Sequence, residues 1–519
     1  MIQQNNDSPV VPQVRRKTDE TNRGNDGGGK WTADDEQTYQ LDLFIGTAER
    51  GGKAPTESGN GGKRNPLKPH KERKPVNKSS TGVSATMERI IECLDESLKT
   101  VVANKGAPGP DRRTVEMVHE HWIDIKPKLA GGLLGGTYQP GDIRRVWIPK
   151  PGGGERGLGI PDVVDRVVQE ACRKVLSPMY EPNFHGSSHG FMPKRSCHTA
   201  IDEARSYLAQ GYGIVVDLDL KDFFNRVNRQ RLMAKLAQRV SDRRVLELIG
   251  RMLKARVVMP NGVVVNTEEG VPQGGPLSPL LSNIYLDELD GELQRRGHKF
   301  VRYADDCNIY VRSERAGERV MASIRRFIER RMRLEVNEKK SAVARPEGRH
   351  FLGFRLRKLQ QEEVEVLLSK RTCERICERI RELTPRNFGN SLNKCIAGIN
   401  VYLKGWTGFF GICTKREERT LSNLDAHIRR RLRAIQLKQW KRKSTRARKF
   451  IQYGVKSGQA MKTVYGKQRD IWALSHTNAA SKALSNDHWK ERGLLSVHGL
   501  WEKLKHVDVA PIQMKLDLV

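Results

Sequence analysis

The sequence predicts an α+β chain: a mixed helix–strand body from about residue 86 to 362, then a mainly helical region, with basic segments at both ends. Three observations predict it. Apolar runs of strand character end in or enclose acids, in "YGIVVDLDL" and "KFVRYADDCNIYV". Segments with apolar residues at helical spacing, "RQRLMAKLAQRV" and "RRVLELIGRML", lie between them. Beyond about residue 365 the strand pattern gives way to long helical stretches such as "SLNKCIAGINVYLKGWTGFFGI".

Taken in order, residues 1–85 are rich in Gly, Asn, Lys, Pro and Ser and show little hydrophobic periodicity. They read as a disordered basic tail, with "YQLDLFIG" the only apolar patch. Order is expected from Met87, where "MERIIECLDESLKTVV" has helical spacing. A Gly-rich turn, "PGGGE", follows Lys150 and precedes Arg156, and it reads either as a phosphate-covering loop or as a basic surface hairpin. The run Ile214 to Leu218 is a strand broken only by Asp217 and followed by Asp219. "KFVRYADDCNIYV" is a hairpin with Asp305 and Asp306 at its turn. Residues 363–445 form a helical domain, and 446–519 a basic, less regular region holding Trp472, Trp489 and Trp501. Nothing repeats at a solenoid period.

Composition narrows the classes. The chain has 519 residues, enough for several domains, and a hydrophobic content of 37% excludes wholesale disorder. Its 93 Lys and Arg against 61 Asp and Glu give +32. Such a surplus repels itself in a compact state unless a polyanion is present, and nucleic acid is the first candidate because each neutralised phosphate releases counterions. The eight cysteines are scattered without paired C-x-x-C knuckles; Cys373 and Cys377, one helical turn apart, have no second ligand pair nearby and read as helix packing. No apolar run reaches transmembrane length and no signal-peptide core opens the chain. A reduced, cytoplasmic setting is expected, in the bacterial cytoplasm or nucleoid or in an organelle.

Acids at strand ends carry the chemistry. In-line phosphoryl transfer to a nucleotide needs its attacking hydroxyl activated and its developing charge neutralised, which two Mg²⁺ ions roughly 3.5–4 Å apart do. Mg²⁺ takes hard oxygen ligands, a few carboxylates with substrate phosphates and water. Asp219 after one strand, and Asp305 and Asp306 at the hairpin turn, fit that need. Adjacent acids at a hairpin tip are often solvated turn formers. The apolar strands on both sides, the preceding Tyr303-Ala304 and the acid-ended strand upstream favour a site. Asp217, two residues before Asp219 on the same strand face, is the rival third carboxylate.

Here the chain resembles the group II intron reverse transcriptases. Tyr303-Ala304-Asp305-Asp306 is similar to their catalytic box and "DLKDFF", from Asp219 to Phe224, to its partner motif. "GVPQGGPLSPLLSNIYLDELD", "RRVWIPKPGGGERGLGIPDVVDRVVQEA", "YEPNFHGSSHGFMPKRS", "NKGAPGPD", "LEVNEKKS" and "FLGF" follow the family's order, over roughly residues 88 to 510. The resemblance implies a right-hand polymerase, its fingers and palm with an antiparallel sheet, followed by a helical thumb and maturase domain. It implies an RNA-directed DNA polymerase using dNTPs and two Mg²⁺ ions, with Asp219, Asp305, Asp306 and the Leu220 carbonyl as metal ligands. It places Lys150, Arg156, Phe223, Phe224, Gln273, Gly274 and Lys340 at the dNTP. Phe224 would be the steric gate against a 2′-hydroxyl, with Phe223 mostly packing. Gly274 and Gly275 would admit close backbone approach. Lys340 would either protonate pyrophosphate or cap a surface turn.

The helical half resembles the thumb and maturase domain, including Gly405-Trp406, and "LDAHIRRRLRAIQLKQWKRK" its basic end. From Arg429 to Lys449 there are 11 Lys and Arg in 21 residues and no acid, a density that is costly without phosphates nearby. Intron RNA would be bound there, through Arg429, Arg430, Arg431, Arg433, Lys438, Lys441 and Arg442. Residues 446–519 would contact DNA. No cysteine follows Cys413, and His476, His488, His498 and His506 lack metal-site spacing, so the homing endonuclease of some relatives is not expected. Implied partners are group II intron RNA, template RNA, primer or target DNA and dNTPs, but no membrane; a dimer is one open oligomeric state. Two alternatives stay open. One is a relative domesticated for DNA repair or phage defence; the other is a splicing cofactor with dead polymerase chemistry, against which the intact acids argue.

Overall fold

The computed structural model describes residues 84–149, 154–359, 363–385, 391–466 and 470–506. The basic tail, its "YQLDLFIG" patch, Lys150 and most of the Gly-rich turn therefore lie outside the described residues.

Strands β1 (Ile143–Pro149) and β2 (Glu155–Ile160) form an antiparallel hairpin. The short β4 (Val257–Val258) and β5 (Val264–Val265) extend it in the order β2-β1-β4-β5, with β1 parallel to β4. The other named pairs of this sheet are antiparallel.

A second sheet, ordered β6-β7-β3-β8, is antiparallel throughout its named pairs. It contains β3 (Ile214–Leu218), β6 (Lys299–Tyr303), β7 (Asp306–Val311) and β8 (Ala342–Ala344). Strand period 2 makes it a wall between two cores. Ile214, Val216, Leu218, Cys307 and Ile309 face one, with the helices Val163–Tyr180, Ser278–Arg295 and Glu314–Phe327. Val215, Val301, Tyr303 and Tyr310 face the other, which holds the helix Cys197–Ala209 and the whole helical half. The palm and the helical half thus share a core across the sheet.

Two details correct the sequence reading. The first helical stretch breaks at Cys93 into Met87–Glu92 and Leu94–Ala103. The boundary at 445/446 does not separate cores. Helices from Lys443–Gln452 to Val497–His506 bury Phe450, Trp489 and Trp501 in the same cluster as Leu403, Trp406 and Leu424. Trp501 Nε1 donates to Cys413 O (3.1 Å), and Asp425 accepts from the backbone N–H of Val497 and His498. The last hairpin, β9 (Phe354–Lys358) with β10 (Val364–Leu368), leads into the helical half.

Candidate active site

Register brings the acids together. β3 pairs with β7 through Leu218 opposite Cys307, so one step further Asp219 comes opposite Asp306. In the β6–β7 hairpin Tyr303 pairs with Asp306, leaving Ala304 and Asp305 as a two-residue turn. Ala304 has φ +55, a left-handed conformation that a Cβ disfavours, so its surroundings must hold it.

They do, through a fully buried cation. Arg302, with its side chain completely shielded, forms a two-pronged ion pair with Asp290 (2.7 and 2.6 Å). It also donates to Ser188 Oγ (2.6 Å), Asn283 Oδ1 (3.0 Å) and the Ala304 carbonyl (2.9 Å). Asn283 in turn donates to Gly190 O, and any Cβ on Gly190 would run into the Ala304 backbone. Sequence reasoning missed these residues because Ser188 lies 114 residues before Arg302 and Asp290, 12 residues before it, sits on the preceding helix. Only the position of Arg302 beside Tyr303 hinted at it.

The carboxylates themselves are left with little compensation. Burial first, then the charges of Asp305, Asp217 and Asp219, push the Asp306 carboxyl up to about 8. Burial also raises Asp305, against the opposing field of Arg156. Protein atoms crowd the turn from the palm side, while Asp306 keeps a solvent-facing side at the tip and Asp305 is half-buried, so both remain reachable. Asp219 is tied through its backbone to "LEVNEKKS": its N–H donates to Ser341 Oγ (3.0 Å) and its carbonyl accepts from Asn337 N (2.8 Å). Lys221 N donates to Glu335 O, so neither bond of this bridge uses the Leu220 carbonyl. Lys340 Nζ stands 3.4 Å from Asp219 Oδ2. The rival, Asp217, is paired instead with Arg349 (2.6 and 2.8 Å), whose guanidinium also donates to Lys340 O.

The other expected nucleotide contacts are arranged as follows. Asp222 turns the chain with φ +47 into the short helix Phe223–Arg226. Phe223 is buried against Tyr285, and Phe224 is half-buried edge-on to it. Gln273 O accepts from Gly159 N (2.7 Å), coupling the "PQGG" segment to β2 of the fingers. Gly274 has φ +123, and a Cβ there would strike Gly159 O. Arg156 is exposed on β2.

The donor set suits a hard cation in kind, being carboxylates and backbone carbonyls. Among the described residues no group of three or more His, Cys, Asp or Glu converges to hold an ion unaided.

The basic helix differs from expectation. Arg433 is buried and donates to Ser475 O (3.0 Å); burial, with the charges of Arg429 and Arg430, pushes its guanidinium down to about 10. Arg431 donates to Thr384 Oγ1 and O and to Arg381 O, and Arg430 lies over the Trp472 ring at 3.9 Å. Arg433, expected at the RNA, is thus engaged inside the chain through Nε. Arg431 is half-buried and its donors are largely engaged. Arg429 is half-buried, and Lys438, Lys441 and Arg442 are exposed at the end of the helix Glu418–Gln439 and beyond it.

Comparison with known proteins places the whole. Residues 148–356 match the reverse transcriptase (RNA-dependent DNA polymerase) model, and residues 373–454 the group II intron, maturase-specific domain. Protein YkfC of Escherichia coli K12 is 30% identical over 377 residues, 64% of this chain and 97% of its own length. The group II intron-encoded protein LtrA of Lactococcus lactis is 30% identical over 296 residues, covering 44% of this chain and about half (49%) of LtrA. The Retron Mx162 reverse transcriptase of Myxococcus xanthus is 34% identical over 170 residues, 31% of this chain and 33% of its own. A solved partial Cas6-RT-Cas1–Cas2 complex resembles 46% of the chain at 25% identity with a TM-score of 0.31, too slight to bear on the fold. The chain belongs to the group II intron reverse transcriptase/maturase family. It carries an RNA-directed DNA polymerase domain, of a class that uses divalent metal ions. No helix among the described residues is long and apolar enough to cross a membrane.

Proposed function

We propose that the protein is the polymerase and maturase of a group II intron, which binds the intron RNA to assist splicing and copies it into cDNA during mobility. The observation that carries this is the meeting of Asp219 with the Asp305-Asp306 turn at one end of the palm sheet, in a chain that also matches the maturase domain.

Asp219, Asp305 and Asp306, with the Leu220 carbonyl, would hold two Mg²⁺ ions. Bound there, Mg²⁺ supplies activation of the 3′-hydroxyl and charge neutralisation at the phosphate and departing pyrophosphate. The chain's own groups position the substrate. Arg156, with Lys150 beyond the described residues, covers the triphosphate from the fingers. Gln273 and Gly274 present side chain and backbone to the nucleotide, on a segment fixed to β2. Phe224 closes the space beside the sugar 2′ position. Lys340, next to Asp219 and held by Arg349 through its carbonyl, supplies the cation on the pyrophosphate side. The exposed Lys438, Lys441 and Arg442, with Arg429, hold RNA phosphates away from the carboxylates.

The test pairs two assays on purified protein: extension of a DNA primer on an RNA template, and splicing of a transcript carrying the flanking intron sequence. Both activities in the wild type, with only extension lost in Asp305→Asn, are expected. Extension with no splicing stimulation would leave a polymerase of the domesticated kind.

A further inference from the structure

At the far end of the palm sheet from the carboxylates lies a groove of ≈ 850 Å³ between the start of β6, the end of β7 and the helix Glu314–Phe327. From Asp306 to Val311 is five strand steps, roughly 17 Å. Arg296, Lys299, Arg312, Arg319 and Arg326 line it, and no Asp or Glu does. Ala316 and Ala322 are among its lining residues.

Its charges are largely unanswered within the fold. Nearby, Arg325 is matched to Glu338, Lys221 and Arg226 to Glu335, and Arg231 and Lys235 to Glu288. In the groove only Arg296 is matched, to Glu292 at 2.6 Å. Lys299, Arg312, Arg319 and Arg326 have no carboxylate within 4.0 Å among the described residues, and Glu314 and Glu318 of the same helix do not line the groove. Like charges gathered in a concavity focus the field and repel one another until an anion enters. Arg312 lies 5.1 Å from the Tyr212 ring, which orients its guanidinium.

The spacing indicates what kind of anion. Arg319 and Arg326 are seven residues apart on one helix, two turns and about 10.5 Å along its axis. A single phosphate would gather converging donors; cations strung along a trough suit successive phosphates of a strand. We propose that this groove is a second RNA site, gripping the phosphate backbone of structured RNA while the opposite end of the same sheet stays free for the primer terminus. The proposal rests on the maturase function proposed above, and adds a place that neither the catalytic motifs nor the basic helix supplies.

The probe is a long blunt-ended RNA hairpin, which offers no recessed end to extend. Binding is measured against salt for the wild type and for a variant carrying Lys299→Gln, Arg312→Gln, Arg319→Gln and Arg326→Gln. The slope of log affinity against log salt should flatten by about 2–4, on the duplex coefficient of roughly 0.9 per phosphate contact. Extension of a short primed template at low salt should be unchanged, which shows that the variant folds. In wild-type protein the hairpin should also shield Lys299 from an amine-reactive reagent, a readout that needs no variant. An unchanged slope, or equal labelling of Lys299 with and without RNA, overturns the proposal and leaves the maturase function standing; either result is also what an acidic protein partner in the groove would give. A wild type that binds no structured RNA overturns both.

Discussion

The palm tip and the basic helix of the maturase region are both dense in one sign of charge, and they handle it in opposite ways. At the tip Asp219 lies beside the Asp305-Asp306 turn, with Lys340 and the field of Arg156 in opposition, and burial and mutual repulsion raise Asp306. In the helix Glu418–Gln439 the arginines turn inward: Arg433 to Ser475 O, Arg431 to Thr384 and Arg381, Arg430 onto Trp472. Charge left unanswered by the fold marks a place where a ligand belongs, whereas charge answered by carbonyls and rings ties elements together. Density of charge in the sequence does not separate the two cases.

The largest expected effect lies at the tip. Asp219→Asn should lower primer extension by at least about 10³, the equivalent of roughly 4 kcal/mol of transition-state stabilisation. Asp217→Asn, whose parent carboxylate is already answered by Arg349, should cost less than about tenfold. Equal losses in single-turnover assays would erase the distinction between a free and a compensated acid.

Next come the two buried arginines. Arg302→Leu strands Asp290 in the core and should cost about 3–5 kcal/mol in urea unfolding. Arg433→Ala leaves only a carbonyl, Ser475 O, without its donor and should cost about 1–3 kcal/mol. By contrast Lys441→Gln with Arg442→Gln, on exposed residues, should leave stability unchanged and flatten the salt dependence of RNA binding by about 2. A flattened slope from Arg433→Ala with full stability would mean that this side chain reaches RNA after all.

Substrate choice is a finer effect. Phe224→Ala should let rNTPs compete about 10–200-fold better, the range for a change in pocket shape. An unchanged rNTP:dNTP incorporation ratio would make the half-buried Phe224 packing only.

The smallest effect is a pH dependence in the fingers. Burial first raises the Asp162 carboxyl to about 7, from an ordinary value near 3.9, against the N–H that Asp111 donates to it and with the Asp111 carboxylate adding to the rise. The folded state therefore holds this proton more tightly than the unfolded chain, so the group favours folding at low pH. That contribution is lost as pH rises from about 4 to about 7. Asp162→Asn should gain on the wild type across that window by roughly 2–4 °C in Tm and plateau above it. A difference constant with pH would show that Asp162 ionises normally.

Much of this was legible in the sequence where the signal is local. β3 and the β6–β7 hairpin follow from apolar runs of strand character that end in or enclose acids, while the register that brings Asp219 opposite Asp306 comes from the pairing of β3 with β7. What was not legible depends on contacts across the chain. Arg302 is joined to Ser188 over a separation of 114 residues and Asp217 to Arg349 over 132. Arg433 read as an RNA contact because nothing in its neighbourhood announces Ser475. The contacts across residue 446 were hidden for the same reason: Trp501 and Val497 return to Cys413 and Asp425, and a composition shift does not reveal that return.

The central claim is that the unanswered carboxylates carry the chemistry and the cationic surfaces carry the RNA. It is tested most directly by Asp305→Asn, assayed for DNA synthesis on a primed RNA template and for RNA affinity in the same buffer. Synthesis should fall by at least about 10³ while affinity stays within about twofold. Near-normal synthesis, or a parallel collapse of RNA binding in a protein with unchanged Tm, would contradict it.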